Sequence, residues 1–157
     1  MTGKGSLNHN SRKFHAKNTD PNRTHWNVEY CNEDIKDVYH ELFDEALKRY
    51  NDKQTRKDRK IDDYYEKIRS GKQEKLFHEV ILQIGDKDNM GSETMEGQLA
   101  AKILDEYMKG FQERNPTLRV FAAHLHLDEA TPHLHIDFIP YVAGSKRGLD
   151  TLSLIHI

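Results

Sequence analysis

The stretch HLDEATPHLH, residues 126–135, lies between two apolar runs, residues 118–127 and 133–141. Both runs have the length and the aliphatic and aromatic content of a strand. The polar residues 128–132 that separate them include a proline. Two such runs joined by a short polar segment are typical of a β-hairpin. The sequence therefore predicts a pair of antiparallel strands here.

Three histidines of this stretch are placed to converge on one point. Side chains alternate between the two faces of a strand, so His133 and His135 point the same way, and the hairpin brings His126 beside them. Three imidazoles on two adjacent strands can build a metal site that keeps open positions for substrate. His124 shares the face of His126, and we expect it to be structural or to support a ligand.

The cysteine count limits the kind of metal site that is available. The chain has ten histidines and a single cysteine, Cys31, so a cysteine zinc site and a disulfide framework are both excluded. Isolated histidines are more often ordinary core or surface residues than ligands. We interpret His40, His78 and His156 in that way.

The segments before the hairpin show mainly helical periodicity. A short strand is predicted over residues 24–30, and a helix follows Asn32, its predicted N-cap. A second helix is predicted to end before Gly71, and residues 76–84 have the pattern of a strand. Residues 1–22 show almost no apolar periodicity, which predicts an exposed arm.

A third helix is predicted between the residue 76–84 strand and the hairpin, with Ser92 as its N-cap and Pro116 ending the element. Its apolar stripe comprises Met95, Leu99, Ile103, Leu104, Tyr107, Met108 and Phe111. The element order β-α-α-β-α-β-β predicts an α+β fold, an antiparallel β-sheet with helices packed on it.

Composition indicates one domain with locally basic surfaces. The 157 residues are 36% hydrophobic and 32% charged, with a net charge of −2. Residues 1–30 carry five Lys and Arg against two acids and residues 48–75 carry eleven against six, which leaves −10 on the remainder. Local basic surface attracts phosphates, although a solvated helix face explains residues 48–75 equally well. With no membrane-length apolar run and no signal-peptide pattern, we expect a cytosolic protein.

Three motifs together resemble one protein family. The pattern His126-x-Asp-Glu-x-x-Pro-His-x-His135 resembles the metal motif of the plasmid mobilisation/recombination (Mob/Pre) relaxases, a branch of the HUH endonucleases. The run Asn8-His9-Asn10-Ser11-Arg12 resembles their N-terminal His-Asn-x-Arg motif, and residues 20–27, DPNRTHWN, resemble the Arg-Ser/Thr-x-x-Asn stretch that follows it. The resemblance covers about residues 6–141 and implies an HUH nuclease-like sandwich.

The resemblance also implies domain limits. A relaxase domain is expected over residues 1–141, and residues 142–157 would begin an irregular C-terminal continuation. Residues 151–157, TLSLIHI, have the look of translated adapter sequence, so the chain is expected to be truncated at its C-terminal end. The family has an apolar strand before its N-terminal motif, and residues 1–7 lack that pattern, which predicts a missing strand at the other end.

The activity implied by the resemblance is site- and strand-specific nicking of single-stranded DNA at a plasmid transfer origin. A covalent protein–DNA intermediate forms and is reversed by religation. A metal ion polarises the scissile phosphate in such a reaction. Imidazole ligands favour Mn²⁺, with Mg²⁺ possible. A coupling protein or a dimer partner is expected to bind through the region beyond this chain.

The resemblance assigns roles to particular residues. It points to His9 as the nucleophile, giving a phosphoramidate linkage, with Tyr30 as the nearest tyrosine alternative. Glu129 is expected to orient His9, and Asp128 to fix the turn or a ligand histidine. Two arginines are expected to contact DNA phosphates: Arg12 and Arg23.

Other functions remain open at this point. A rolling-circle replication initiator of the HUH class would use a tyrosine nucleophile. A non-catalytic nucleic-acid-binding module would use the histidines for a structural metal and would unfold without it. A metal-dependent hydrolase of a small substrate would be indifferent to single-stranded DNA.

Overall fold

The structure is a computed structural model that describes residues 2–3 and 6–142. The predicted hairpin is present, and its two strands lie inside the sheet. The described residues contain five strands: β1 (Thr2–Gly3), β2 (Val28–Asn32), β3 (His78–Gln83), β4 (Leu118–His126) and β5 (His133–Pro140). They form one sheet in the order β1-β3-β5-β4-β2, with every neighbouring pair antiparallel. β5 is therefore central and is buried along its whole length.

From β2 onward the helices lie between the strands as predicted, except that the predicted third helix is divided into two, and a short helix that was not predicted precedes β2. They are α1 (Leu7–Asn10), α2 (Ile35–Asp52), α3 (Tyr64–Ser70), α4 (Met95–Lys109) and α5 (Phe111–Arg114). Short 3-10 turns cover Thr24–Trp26 and Lys57–Arg59. The α+β class with helices packed on an antiparallel sheet is confirmed. Among the helices of the described chain, none combines the length and the apolar content that a bilayer span requires.

The two faces of the sheet carry separate cores. On one face, α4 and α5 pack against a cluster that includes Leu125, Leu134 and Ile136. On the other face, α2 and α3 pack against Ala122 and Ile139. Because side chains alternate along β4 and β5, the hairpin histidines share the second face with α2 and α3. They therefore occupy the part of that face where β4 ends and β5 begins.

The predicted apolar stripe of the third helix is only partly buried. Leu104, Met108 and Phe111 lie in the core, but four predicted members are exposed: Met95, Leu99, Ile103 and Tyr107. The buried face of α4 is completed instead by Gly97 and Ala100. A side chain at Gly97 would collide with the Gly91 backbone. Small residues thus let α4 approach its neighbours closely, a preference that hydrophobic periodicity does not detect.

Two predicted N-caps were wrong by two residues. The α2 cap is Asp34 rather than Asn32, since its carboxylate accepts from the Lys36 and Asp37 amides. The α4 cap is Thr94 rather than Ser92, and its hydroxyl accepts from the Gly97 amide. Ser92 is buried instead and donates to the Glu129 carbonyl at 3.4 Å. Several polar residues precede each helix, and side-chain direction decides which of them caps it.

The N-terminal segment contains a short strand and a buried residue, in contrast to the exposed arm without a strand that was predicted. β1 pairs with β3 through Thr2 and Gly3, and α1 follows shortly after it. Asn10, at the end of α1, is only 2% exposed. The segment is held by polar contacts, which leave no apolar periodicity in the sequence. The expected continuation over residues 142–157 lies outside the described residues except for Val142.

Candidate metal centre

The register of the hairpin sets three histidines against one another. His126 is directly opposite His133 across the β4–β5 pair, and His135 is two residues further along β5. The ring centroids of the three are 4.8–5.2 Å apart. One ligand nitrogen from each lies within 4.8 Å of the other two. The geometry thus brings together the three residues that the sequence analysis selected as metal ligands.

Each of these histidines has one ring nitrogen held by an oxygen of the protein. His126 Nε2 is 2.8 Å from the Asn10 carbonyl oxygen, and His133 Nδ1 is 2.9 Å from the Thr131 carbonyl oxygen. His135 Nδ1 is 3.2 Å from Glu79 Oε2. These oxygens only accept, so the nitrogens that face them carry the ring protons. The opposite nitrogen of each ring can then offer its lone pair to a metal.

The remaining ring nitrogens fit a cation. His126 Nδ1 and His135 Nε2 are buried and have no hydrogen-bond partner within the described part of the chain. Burying a polar atom without a partner is costly, and a bound metal removes that cost. Burial lowers the pKa of His126 to about 3, so its ring is neutral at physiological pH. The donor set is three imidazole nitrogens, which suits a first-row divalent ion.

Glu129 lies on the open side of the three histidines. Its carboxylate is 3.4 Å from His133 Nε2, 4.0 Å from His126 Nδ1 and 3.4 Å from His9 Nε2. Although burial opposes ionisation, His133 and Arg12 lower the pKa of Glu129 to about 2. The predicted proximity of Glu129 to His9 is present. The same carboxylate also faces the candidate ligand nitrogens His133 Nε2 and His126 Nδ1.

His9 lies at the edge of the same cleft. The cleft has a volume of about 320 Å³ and is lined by His9, Glu129, His133 and His135, among others. His9 Nε2 accepts from the Arg12 guanidinium at 3.1 Å, which leaves this ring neutral. Partial burial, followed by the Arg12 charge, lowers the pKa of His9.

Arg12 makes several polar contacts inside the protein. Its guanidinium pairs with both oxygens of Asp128 and with Glu129, and its side chain is 8% exposed. Arg12 also has a backbone φ of 54°, in the left-handed region that non-glycine residues rarely adopt. These contacts favour a role in positioning His9 over the phosphate contact expected from the sequence.

Asp128 ties the turn to the N-terminal segment, one of the two roles expected for it. It is fully buried, and it accepts from Arg12, from the Thr24 hydroxyl at 3.0 Å and, through its carbonyl, from the Asp20 amide. Burial alone would raise the pKa of Asp128, but the hydrogen bonds from Arg12 hold it well below its usual range.

Arg23 and His124 lie outside the histidine cluster. The Arg23 guanidinium is 3.1 Å from Asp20 and 3.7 Å from Glu93, at the edge of the site. His124 Nε2 is 3.0 Å from Glu29 Oε2 on β2. The structural role expected for His124 agrees with this contact.

Tyr30 is separated from the histidines by the sheet. Its hydroxyl donates to Asp105 on α4 at 2.6 Å, and it packs against the core on the α4 face. Burial and the Asp105 carboxylate raise the pKa of Tyr30. The tyrosine named as the alternative nucleophile therefore lies on the opposite face of the sheet from the three histidines.

Three polar residues of the site were missed by the sequence analysis. Asn10 donates to Glu79 and, at 3.3 Å, to Asp137, and all three are buried. Burial and the Glu79 carboxylate raise the pKa of Asp137 to about 8. Asp137 continues the alternation of His133 and His135 along β5, which was a usable signal. Glu79 becomes recognisable only once β3 is known to pair with β5.

Comparison with known proteins supports the motif-based resemblance. A sequence model of the family described as "Plasmid recombination enzyme" (Mob_Pre) matches residues 4–151. A plasmid recombination enzyme of Streptococcus agalactiae is 28% identical over 98% of this chain, which spans 29% of that relative's length.

A solved structure is similar as well. It is the MobM relaxase domain (MOBV; Mob_Pre) bound to oriT DNA of plasmid pMV158, in a Mn-bound crystal form at pH 5.5. The two chains are 28% identical with a TM-score of 0.53, over 92% of this chain and 68% of that one. From the family match over residues 4–151, the chain belongs to the plasmid recombination enzyme (Mob/Pre) family.

Proposed function

We propose that this chain carries the nicking centre of a plasmid relaxase, which cleaves single-stranded DNA at a transfer origin and holds one end covalently. Three histidines converge on one point, and a ring nitrogen on two of them has no hydrogen-bond partner among the described residues. A neutral His9 lines the cleft beside them. This arrangement is the observation that supports the proposal. The similar MobM domain is bound to Mn and to oriT DNA.

The metal would be held by His126, His133 and His135, with Mn²⁺ favoured over Mg²⁺ by the nitrogen ligands. When bound, it would polarise the scissile phosphate and stabilise developing negative charge. Three neutral imidazoles contribute no negative charge, so the cation keeps its attraction for phosphate. The donor set and the similar Mn-bound domain support this choice.

His9 would act as the nucleophile. The lone pair on Nε2, once released by the Arg12 N–H that it accepts from, attacks phosphorus, a nitrogen–phosphorus bond forms, and the phosphorus–oxygen bond to the departing strand breaks. The departing oxygen takes up a proton from water and becomes a hydroxyl. Before attack the Arg12 guanidinium holds the His9 ring through Nε2, and the Glu129 carboxylate lies 3.4 Å from the same nitrogen. Religation runs the same steps backwards.

The DNA backbone would continue along the basic surface of α2, α3 and the loop between them. These helices lie on the same face of the sheet as the histidines. Several basic side chains there are exposed even though they pair locally, as in Arg49 with Glu45 and Arg69 with Glu66. Exposed pairs of this kind contribute little to stability and open at small cost. Arg23 is proposed to meet phosphate at the edge of the cleft.

The proposal is tested with end-labelled single-stranded oligonucleotides that cover the transfer origin of the plasmid carrying the gene. With Mn²⁺, we expect a cut that leaves protein attached to one DNA end on a denaturing gel, and no cut with EDTA. His9→Ala and His133→Ala should each abolish the attachment. Tyr30→Phe and His124→Ala are the matched controls and should keep it.

One outcome would correct the identity of the nucleophile, and another would reject the proposed function. A metal-dependent cut that survives His9→Ala would move the nucleophile to another residue. Tight DNA binding without any cut would support the non-catalytic binding module instead.

A further inference from the structure

Asn10 occupies an unusual position between the nucleophile and the metal ligands. It directly follows His9 in α1 and is the buried member of a four-residue helix. Its neighbours Asn8 and His9 are more exposed. An asparagine at 2% exposure needs several hydrogen bonds to offset the loss of water, and both its backbone and its side chain make them.

The backbone and side chain of Asn10 each lead to a different histidine. Its carbonyl oxygen accepts from His126 Nε2. Its side-chain amide donates to Glu79 Oε2, the same oxygen that His135 Nδ1 approaches at 3.2 Å. Two of the three histidines are therefore oriented by Asn10, one directly and the other through Glu79.

We propose that Asn10 is a positioning residue that couples docking of the His9-bearing segment to metal binding, an inference that rests on the proposed function. When the segment is docked, the Asn10 carbonyl keeps the His126 proton on Nε2 and leaves Nδ1 free for the metal. When the segment leaves, that constraint is lost, and Glu79 loses the amide that fixes it beside His135. Metal affinity falls as a result.

The coupling acts in both directions. If docking of the segment raises the affinity for metal by some factor, metal binding must favour docking by the same factor. Removing groups that orient metal-binding histidines typically costs about 10- to 100-fold in affinity. With a factor of this size, the docked nucleophile and the bound cation would occur together more often than either would occur without the other.

The first test uses the unaltered chain without DNA. Lys13 and Lys17 are exposed in the segment that follows α1, whereas Lys57 is exposed in the loop between α2 and α3. Limited trypsin digestion should be slowed by saturating Mn²⁺ at Lys13 and Lys17, by about 10- to 100-fold according to the coupling. Cleavage at Lys57 should keep its rate, which controls for effects of the ion on the protease. Equal rates with and without Mn²⁺ at Lys13 and Lys17 would overturn the inference.

The second test compares variants by titration with Mn²⁺, followed by electron paramagnetic resonance of the free ion. Asn10→Ala removes the amide and should weaken Mn²⁺ binding by about 10-fold or more. Asn8→Ala changes an exposed asparagine of the same helix and should bind Mn²⁺ as the unaltered chain does. Glu79→Gln keeps the side-chain shape and should weaken binding in the same direction as Asn10→Ala. Unchanged Mn²⁺ affinity in a folded Asn10→Ala would overturn the inference.

Nicking assays then separate this inference from the proposed function. At Mn²⁺ concentrations that saturate it, Asn10→Ala should still show a lower kcat with little change in KM for DNA, because the His9-bearing segment is docked for a smaller fraction of the time. Mn²⁺-dependent protection in an unaltered chain that cuts no DNA would reject the proposed function alone. Metal-dependent nicking without any such protection would reject the coupling alone.

Discussion

Asp128 connects separate parts of the N-terminal segment to the turn between β4 and β5. Its carboxylate receives two hydrogen bonds from Arg12 and one from Thr24, and its carbonyl receives the Asp20 amide. Since His9 is three residues from Arg12, the position of the proposed nucleophile depends on a contact made at the hairpin turn.

Replacing Asp128 with Asn should destabilise the fold substantially. Removing one partner of a buried ion pair typically costs about 3–5 kcal/mol, and Glu129 still offsets part of the Arg12 charge, so we expect about 3 kcal/mol. Urea unfolding followed by circular dichroism measures this. Asp20→Asn is the control, because the more exposed Asp20–Arg23 pair should contribute less than about 1 kcal/mol. Similar losses in the two variants would contradict the assignment.

Cys31, on β2, should be a poorly reactive thiol. Burial first, and then the Glu33 carboxylate, raise the pKa of Cys31 to about 11. A raised thiol pKa favours the neutral form, and the thiolate is the reactive species. At pH 8, alkylation by iodoacetamide should be about 100-fold slower than in the urea-unfolded chain, given an unfolded pKa of about 8.5. The rate should rise with pH up to about 11. A plateau near pH 8.5 would show that the thiol is solvated.

At the level of elements, the hairpin was predictable because two apolar runs of strand length lie on either side of a short polar segment that contains a proline. The strands predicted at residues 118–127 and 133–141 are observed at Leu118–His126 and His133–Pro140. Alternation placed His133 and His135 on one face without any knowledge of the fold. The exact register was not predictable, because β4 carries an irregularity between Val120 and Ala122 that shifts the pairing. Such a bulge depends on packing of neighbouring elements as well as on local sequence.

The N-terminal elements were not predictable from local patterns. β1 has two residues and α1 has four, too few to show a period. Their positions depend on contacts with residues far along the chain, such as Asn10 with Glu79 and Arg12 with Asp128. The family motif marked His9 and Arg12 as important, but motif spacing contains no information about their partners.

The N-terminus of α4 offers a test at the same scale. Thr94 accepts from the Gly97 amide at 2.9 Å, and replacing a threonine cap with alanine costs about 0.5–2 kcal/mol. We expect Thr94→Ala to lower the free energy of unfolding by about 1 kcal/mol, measured by urea denaturation. Thr94→Ser should retain most of this energy, since serine caps at least as well. Equal losses in the two variants would mean that the threonine methyl group, and not the cap, provides the stability.

At the scale of the whole molecule, the proposed metal site lies on a sheet that has an apolar core on each face. β4 and β5 are paired to each other and to β2 and β3, and each face of the sheet has its own apolar core. The three histidines add to this framework at one end of the hairpin. A structural zinc module of similar size would instead depend on its metal for folding. Metal removal therefore distinguishes a catalytic from a structural role for these histidines.

Chelation of the metal with EDTA should leave the far-ultraviolet circular dichroism spectrum unchanged. Mn²⁺ at 100 times its dissociation constant should stabilise the folded chain by about 2.7 kcal/mol, which corresponds to a rise in Tm of about 5–10 °C for a chain of this size. His133→Ala should lose this rise because it removes a ligand, whereas His124→Ala should keep it, since the His124 ring faces Glu29. Unfolding on chelation would contradict the catalytic assignment and favour a structural metal, because a site built on an independently stable sheet can lose its ion without losing the sheet.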